Sequence, residues 1–173
     1  MRREAGFTLI EILIAVAIIG ILVGLAVVGF SKQTRKARGA EANAMFAAIR
    51  TAQESYHLEN GTYYSTSASE ATTWPTTPVK TAQTILPLPA AWNTLRVRVS
   101  NDRVYCGYVT IAGVANSATG IGAMAQGFGL TTAPATDWFY ILAKCDLDGS
   151  STLDSYYFTW SGDTRVQKLN EGR

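Results

Sequence analysis

Gly6-Phe7-Thr8-Leu9-Ile10-Glu11 opens directly onto an uncharged apolar run, Ile12 to Phe30. At a helical rise of ~1.5 Å per residue, a run of about 19 residues is roughly 28 Å long. That length matches the ~30 Å hydrocarbon core of a bilayer. Glu11 stands at the head of the run, where an ionised carboxylate costs about 2.5 to 3.5 kcal/mol and calls for a partner. Two plain readings come first. A secretory signal peptide would use Arg2 and Arg3 as its basic start. The run exceeds the usual ~7 to 15 apolar residues, however, and Gly24-Leu25-Ala26 is the nearest cleavage-like tripeptide. A single-pass anchor explains the length but leaves Glu11 without a reason. Lys32, Arg35, Lys36 and Arg38 follow the run, so counting positive charge alone would place the C-terminal part in the cytoplasm.

The rest of the 173-residue chain has an ordinary polar composition, although 47% of the whole is hydrophobic. A net charge of +2 is too small to argue for nucleic acid as the main partner. Basic and aromatic residues are not interleaved as in a single-strand groove. One histidine and two cysteines exclude a zinc-finger type of ligand array. No serine or cysteine nucleophile has a base arranged by motif, so an enzyme is not expected.

The helix is expected to continue past the apolar run. Ala37, Ala44, Ala48, Ala52 and Tyr56, with Met45 and Ile49, recur at spacings compatible with one face, leaving Glu41, Arg50 and Glu54 on the remainder. Asn60-Gly61 is a stop signal. Residues 62–92, rich in Thr, Ser, Pro and Ala, are too long for an ordinary connection and read as a functional surface loop with room for a short helix or strand. From Thr94 the period changes to two. Leu95-Arg96-Val97-Arg98-Val99 alternates, and Asn101-Asp102 reads as a turn before a second strand over 103–111. Gly113 to Gly129 reads as a mobile Gly/Ala/Ser-rich excursion. Trp138–Cys145 and Ser155–Trp160 complete a four-stranded antiparallel sheet on one long helix, an α+β fold.

Gly6-Phe7-Thr8-Leu9-Ile10-Glu11-Ile12-Leu13-Ile14 with its apolar helix resembles the prepilin signature of type IV pilins and pseudopilins. Tyr56-His57-Leu58-Glu59-Asn60-Gly61-Thr62-Tyr63 is similar to that family's tyrosine-rich segment at the helix end. The resemblance covers residues 1 to about 64. It implies that a prepilin peptidase cuts after Gly6 and N-methylates Phe7. It also implies that Glu11, the fifth mature residue, pairs with the N-terminal amine of a neighbouring subunit and sets the register of a filament; the simpler alternative is a bond to its own amine. Many family members carry a proline where this chain has Val28. Gly24 and Gly29 suggest local softness there instead, since glycine weakens a helix by about 1 kcal/mol relative to alanine.

The resemblance also implies that the C-terminal domain lies outside the cytoplasm. There an isolated cysteine pair is usually bonded, so Cys106 and Cys145 are expected to form a disulfide, the alternative being two buried thiols. Gly20 and Gly24 form a small-xxx-small pair that lets apolar helices approach, unless the spacing is incidental. Asp146, Asp148 and Asp154 place oxygens as a calcium loop would. The glycine is misplaced for an EF-hand, and a polar turn around Asp148-Gly149 is the favoured reading, with no cofactor expected otherwise. His57 is expected as a helix-end or surface residue.

The domain organisation that follows is a leader over 1–6, a transmembrane and assembly half-helix over 7–30, an amphipathic half over 31–60, and a head over 61–173. The head would carry loop 62–92 and a sheet over 94–161. The expected role is a subunit of a surface type IV pilus (motility, adhesion or DNA uptake). It would sit in the cytoplasmic membrane among lipid, then polymerise with other pilin subunits after meeting the peptidase and an assembly platform. A type II secretion pseudopilin in a periplasmic pseudopilus is the alternative. From another class, the chain would be an anchored ligand-binding domain at a filament tip.

Overall fold

The computed structural model describes residues 8–76, 78–99, 102–150 and 153–172. They divide into two compact units between Thr34 and Arg35. The first unit is the helix α1, Leu9–Gly39, as far as Thr34. Its backbone is helical through Gly24 and Gly29 without a break, although softness was expected there.

The second unit begins with the end of α1 and the helix α2, Glu41–Asn60. Gly61 ends α2 in the left-handed region (φ 74°) and donates its N–H to the His57 carbonyl at 2.8 Å, as Asn60-Gly61 signalled. The head contains a two-residue strand β1 (Gln83–Thr84), a short helix α3 (Ala90–Leu95), β2 (Arg103–Val104), β3 (Cys106–Gly113), a five-residue helix α4 (Ala123–Gly127), β4 (Trp138–Cys145), β5 (Ser155–Trp160) and β6 (Asp163–Leu169). β3 to β6 form an antiparallel four-stranded sheet in sequence order, and β1 pairs with β2.

The sheet is one strand out of step with the expected one. Leu95, Val97 and Val99 do alternate inward against exposed Arg96 and Arg98, but they join no ladder. Leu95 ends α3, and Arg96 turns left-handed (φ 55°) as its C-cap. The fourth strand is β6, beyond the expected limit of 161. The Asn101 part of the expected turn lies outside the described residues.

β3 and β4 are buried on both faces, so the head has three layers. On one face α2 presents Ala42, Met45, Phe46, Ile49, Ala52 and Gln53 to a core with Tyr108, Phe139, Ile141 and Tyr157. The buried stripe is rotated from the alanine stripe read in the sequence. Ala37 and Ala44 are exposed, because the bulkier Met45, Phe46 and Ile49 remove more apolar area from water. On the other face, Val109, Ile111, Trp138, Tyr140, Leu142 and Phe158 are covered by Ala125 and Leu130, with Phe128 stacked on Phe158 at 5.0 Å. The expected mobile excursion is therefore a packed layer. Glu70 accepts the Met124 and Ala125 N–H groups at 3.0 and 2.9 Å. Tyr140 donates to the Gly120 carbonyl, and the Trp138 indole to that of Ser117.

Both sheet edges are occupied or charged. Along β3, Thr66 donates its N–H to Thr110, Ser65 Oγ accepts from Ala112, and Trp74 exchanges two backbone bonds with Tyr108. Gly107 leaves room for this strap, since a Cβ there would meet the Pro75 carbonyl and Thr73. Along β6, Asp163, Arg165 and Lys168 mark the free edge.

Gln53 joins these parts and was not singled out in the sequence. Fully buried, it donates to the Tyr64 carbonyl (2.6 Å) and Thr110 Oγ1 (2.9 Å), and accepts the Tyr64 N–H (3.0 Å). Its position beside Ala52 and three before Tyr56 was the available signal. Gln53→Ala leaves several buried groups unpaired, and each such group costs about 1 to 3 kcal/mol. The head is expected to lose roughly 2 to 3 kcal/mol in a denaturant titration. A loss below about 0.5 kcal/mol would contradict that account.

Candidate assembly segment and head surface

The described chain starts at Thr8, so Gly6 and Phe7 lie outside the described residues, and so does any amine partner for Glu11. At Thr8 the backbone enters α1, and the first turn is closed reciprocally. The Thr8 N–H and hydroxyl donate to Glu11 Oε2 at 3.2 and 3.1 Å, while Thr8 Oγ1 accepts the Glu11 N–H at 3.3 Å. This is a capping box, and Thr-x-x-Glu ahead of an apolar run is its sequence signal. Glu11 thus has a second task at the helix start that the sequence reading passed over.

Within α1 an 18-residue window reaches a mean hydropathy of 3.0, long and apolar enough by composition to cross a membrane. The large apolar side chains from Leu9 to Leu25, and Phe30, are exposed. Among the described residues, and apart from the adjoining backbone of α1 itself, no atom lies within 4 Å of a Cβ built at Gly20 or Gly24. Any close packing at this pair must therefore come from outside the chain.

The head meets the end of α1 at Gly39, which is buried. A Cβ there would run into the Tyr157 hydroxyl, itself buried and without a hydrogen-bond partner among the described residues. Burial pushes the Tyr157 hydroxyl up to about 12, with Glu171 adding to the effect. Cys106 and Cys145 are bonded as a disulfide. They sit directly opposite one another in the β3–β4 register, with Cα atoms 4.3 Å apart, on the α2 side of the sheet.

Glu41 and Arg50, assigned from the sequence to the outer part of α2, turn partly inward. Glu41 accepts the Tyr105 N–H (3.2 Å) and the Tyr108 hydroxyl (2.8 Å). Arg50 donates to Thr159 Oγ1 and the Trp160 carbonyl, and its guanidinium lies 5.4 Å from the Phe139 ring centroid. Burial raises the Glu41 carboxyl above the usual range, and the two hydrogen bonds only partly oppose this. The folded head therefore binds this proton more tightly than the unfolded chain does. Its contribution to stability is present below the unfolded pKa and is lost as pH rises through the folded one. Melting temperatures of the parent and Glu41→Gln from pH 4 to 7 should diverge, the parent losing relative stability as pH rises. Parallel curves would rule this out.

Asp146, Asp148 and Asp154 are each engaged within the protein. Asp146 Oδ1 and Asp148 Oδ1 accept the Gly149 and Ser150 N–H groups at 2.7 and 2.9 Å. Asp148 lies 3.9 Å from Arg35, and Asp154 is 3.1 Å from Lys144. Among the described residues, no three His, Cys, Asp or Glu side chains are grouped to hold a metal. The physical reason is that two of the three carboxylates face cations and two cap their own turn. Adding calcium or a chelator is expected to leave the melting temperature unchanged; a rise of several degrees with calcium would reverse this reading.

His57 stacks on Tyr63 at 4.3 Å and lies 3.9 Å from Asp137, so it is a half-buried helix-end residue. Tyr63 also packs on Phe139, and Tyr64 on Tyr56, which makes these aromatics part of the core edge. Concavities open on the described part of the head. A groove of about 810 Å³ runs between α2 and the α3 segment, past the Arg96–Glu59 pair (3.2 Å). A pocket of about 740 Å³ is walled by Arg38, Glu41, Lys80, Asp102, Arg103 and Tyr105.

The prokaryotic N-terminal methylation motif matches residues 1–27. The chain is similar to the type IV major pilin protein PilA of Myxococcus xanthus, 44% identical over 61 residues, which is 35% of this chain and 28% of that protein. It is 42% identical to a fimbrial protein of Pseudomonas aeruginosa over 59 residues, 34% of this chain and 38% of that protein. It is 35% identical to the type II secretion system core protein G of Aeromonas hydrophila over 65 residues, 38% of this chain and 46% of that protein. The chain thus spans less than half the length of these curated relatives. No solved structure matches.

Proposed function

We propose that this chain, whose N-terminal segment is that of the type IV pilins and pseudopilins, is a structural subunit of a type IV filament. One observation carries the reading: a methylation motif is joined to an apolar helix whose large apolar side chains from Leu9 to Leu25 are exposed and whose single acid is Glu11. Such a surface is stable only in lipid or against copies of itself. Cleavage after Gly6 would create an amine at Phe7, four residues before Glu11, and two opposite charges in apolar surroundings remove most of each other's cost. The head would lie outside the cytoplasm, consistent with its disulfide. The peptidase, an assembly platform and neighbouring subunits are the partners this requires. The role proposed is structural, not catalytic.

A surface pilus is the first choice. The secretion pseudopilus is kept because the similarity to core protein G is of comparable extent. The acidic turn does not favour it, since Asp148 and Asp154 have cations beside them. Shearing filaments from cells, imaging them and identifying the subunit by mass tests the reading. Long filaments containing this chain support a pilus, and their absence from sheared material with the chain retained in the envelope would overturn that choice.

A further inference from the structure

Three cations converge on the pocket beside the end of α1, and none is ion-paired among the described residues. Arg38 Nη1 donates to the Lys80 carbonyl at 3.2 Å, and its guanidinium lies 5.0 Å from the Tyr105 ring centroid. Arg103 Nη2 donates to the Ala82 carbonyl at 2.7 Å. Neutral acceptors orient these groups without cancelling their charge. Lys80 is exposed in the same wall. Among the described residues, no carboxylate lies within ion-pair distance of any of the three. Arg35 and Lys36, close by in sequence, differ because they face Asp148 and Glu171. Two acids line the pocket. Glu41 spends its oxygens inward on Tyr105 and Tyr108, which leaves Asp102 as the exposed acid in the wall. Thr81 adds an exposed hydroxyl and backbone to the rim.

We propose that this pocket receives the phosphate of an anionic phospholipid headgroup while the chain is held in the membrane. The inference rests on the reading of α1 as a membrane anchor. Phe30 ends the apolar run eight residues before Arg38, about 12 Å of helix. Headgroup layers extend a bilayer from ~30 Å to roughly 40–45 Å, and attraction to anionic lipid reaches a further ~8 Å into solution. The pocket therefore falls within reach of headgroup phosphates by chain length alone. A planar guanidinium suits phosphate oxygens, and two of the three cations are arginines. Each cation is worth about fivefold in affinity for an anionic lipid surface.

The test titrates the full chain in neutral detergent micelles with short-chain phosphatidylglycerol, short-chain phosphatidylcholine or inorganic phosphate, reading heat of binding. Saturable binding of phosphatidylglycerol alone is expected. It should weaken about fivefold in Lys80→Gln and about 25-fold in the Lys80→Gln, Arg103→Gln pair, and fall with added salt. Should Arg103→Gln fail to fold, Lys80→Glu, which touches no hydrogen bond, keeps the test intact and should weaken binding further. Equal binding of both lipids, or undiminished binding by the variants, overturns the proposal. Phosphate competing as well as phosphatidylglycerol overturns the lipid source in favour of a free phosphate. Filament assembly is not read in this experiment, so failure of the pocket and failure of the filament reading are separable.

Discussion

Glu11→Ala is expected to reduce filament assembly to background while leaving cleavage between Gly6 and Phe7 unchanged. The carboxylate carries a cost of about 2.5 to 3.5 kcal/mol in the apolar run, and Thr8 offsets only part of it. Glu11 has two separable tasks, capping α1 and presenting a charge. Three variants distinguish them. Thr8→Ala removes the cap, worth about 1 kcal/mol, and keeps the charge, so it should still assemble. Glu11→Gln keeps an acceptor for the Thr8 N–H and removes the charge, so it should fail as Glu11→Ala does. Cleavage is read by the mass of the processed chain, and assembly by sheared filaments. If Thr8→Ala failed alongside Glu11→Ala while Glu11→Gln assembled, the cap and not the charge would be the assembly determinant.

The second large effect is expected from the Cys106–Cys145 bond. Its partners are 39 residues apart in sequence, and closing such a loop in the unfolded chain stabilises by roughly 3 to 4 kcal/mol on the chain-entropy account. The bond closes the segment that carries the outer layer over the sheet, including α4, Phe128 and Leu130. Replacing both cysteines by alanine should lower the unfolding free energy by that amount, and reductant should lower that of the parent to match. Tryptophan fluorescence in denaturant reads this, because Trp138 is buried at the start of β4 in the same closed segment. A loss under about 1 kcal/mol would sink the chain-entropy account here.

The N-terminal segment was readable because its signals are local and periodic. Glu11, the length of the apolar run and Gly61 as a stop each follow from a few adjacent residues. The cysteine pair was readable because no other partner exists for either sulfur. Apart from the local Thr8–Glu11 cap, the misreadings share one cause, in that each concerned a residue whose role is set by distant neighbours. Leu95-Arg96-Val97 alternates as a strand does, yet the β3 edge it would have paired with is taken by Ser65, Thr66 and Trp74. β6 was missed because, as a half-exposed edge, it carries Asp163, Arg165, Gln167 and Lys168 and shows no apolar rhythm. The 113–129 stretch hid its packing behind small residues, since its few larger apolar side chains, Ile121, Met124 and Phe128, are scattered among Gly, Ala and Ser with no period. Gln53 looked like one more polar helix residue until Tyr64 and Thr110 were placed beside it.

The two guarded edges of the sheet have a consequence for crowding. A strand edge is a template that accepts any other chain in the same way, and natural sheets blunt it with charge or cover. Here a strap from the long loop covers β3, and charged side chains mark β6. Heads brought together at very high local density would then meet one covered edge and one charged edge, which disfavours ladder extension into amyloid-like tangles. On the proposed filament reading, self-association would be left to one helical surface, which lipid would hold in reserve and release. The joining of copies would then be reversible and directional, as a fibre that is to be built and dismantled requires.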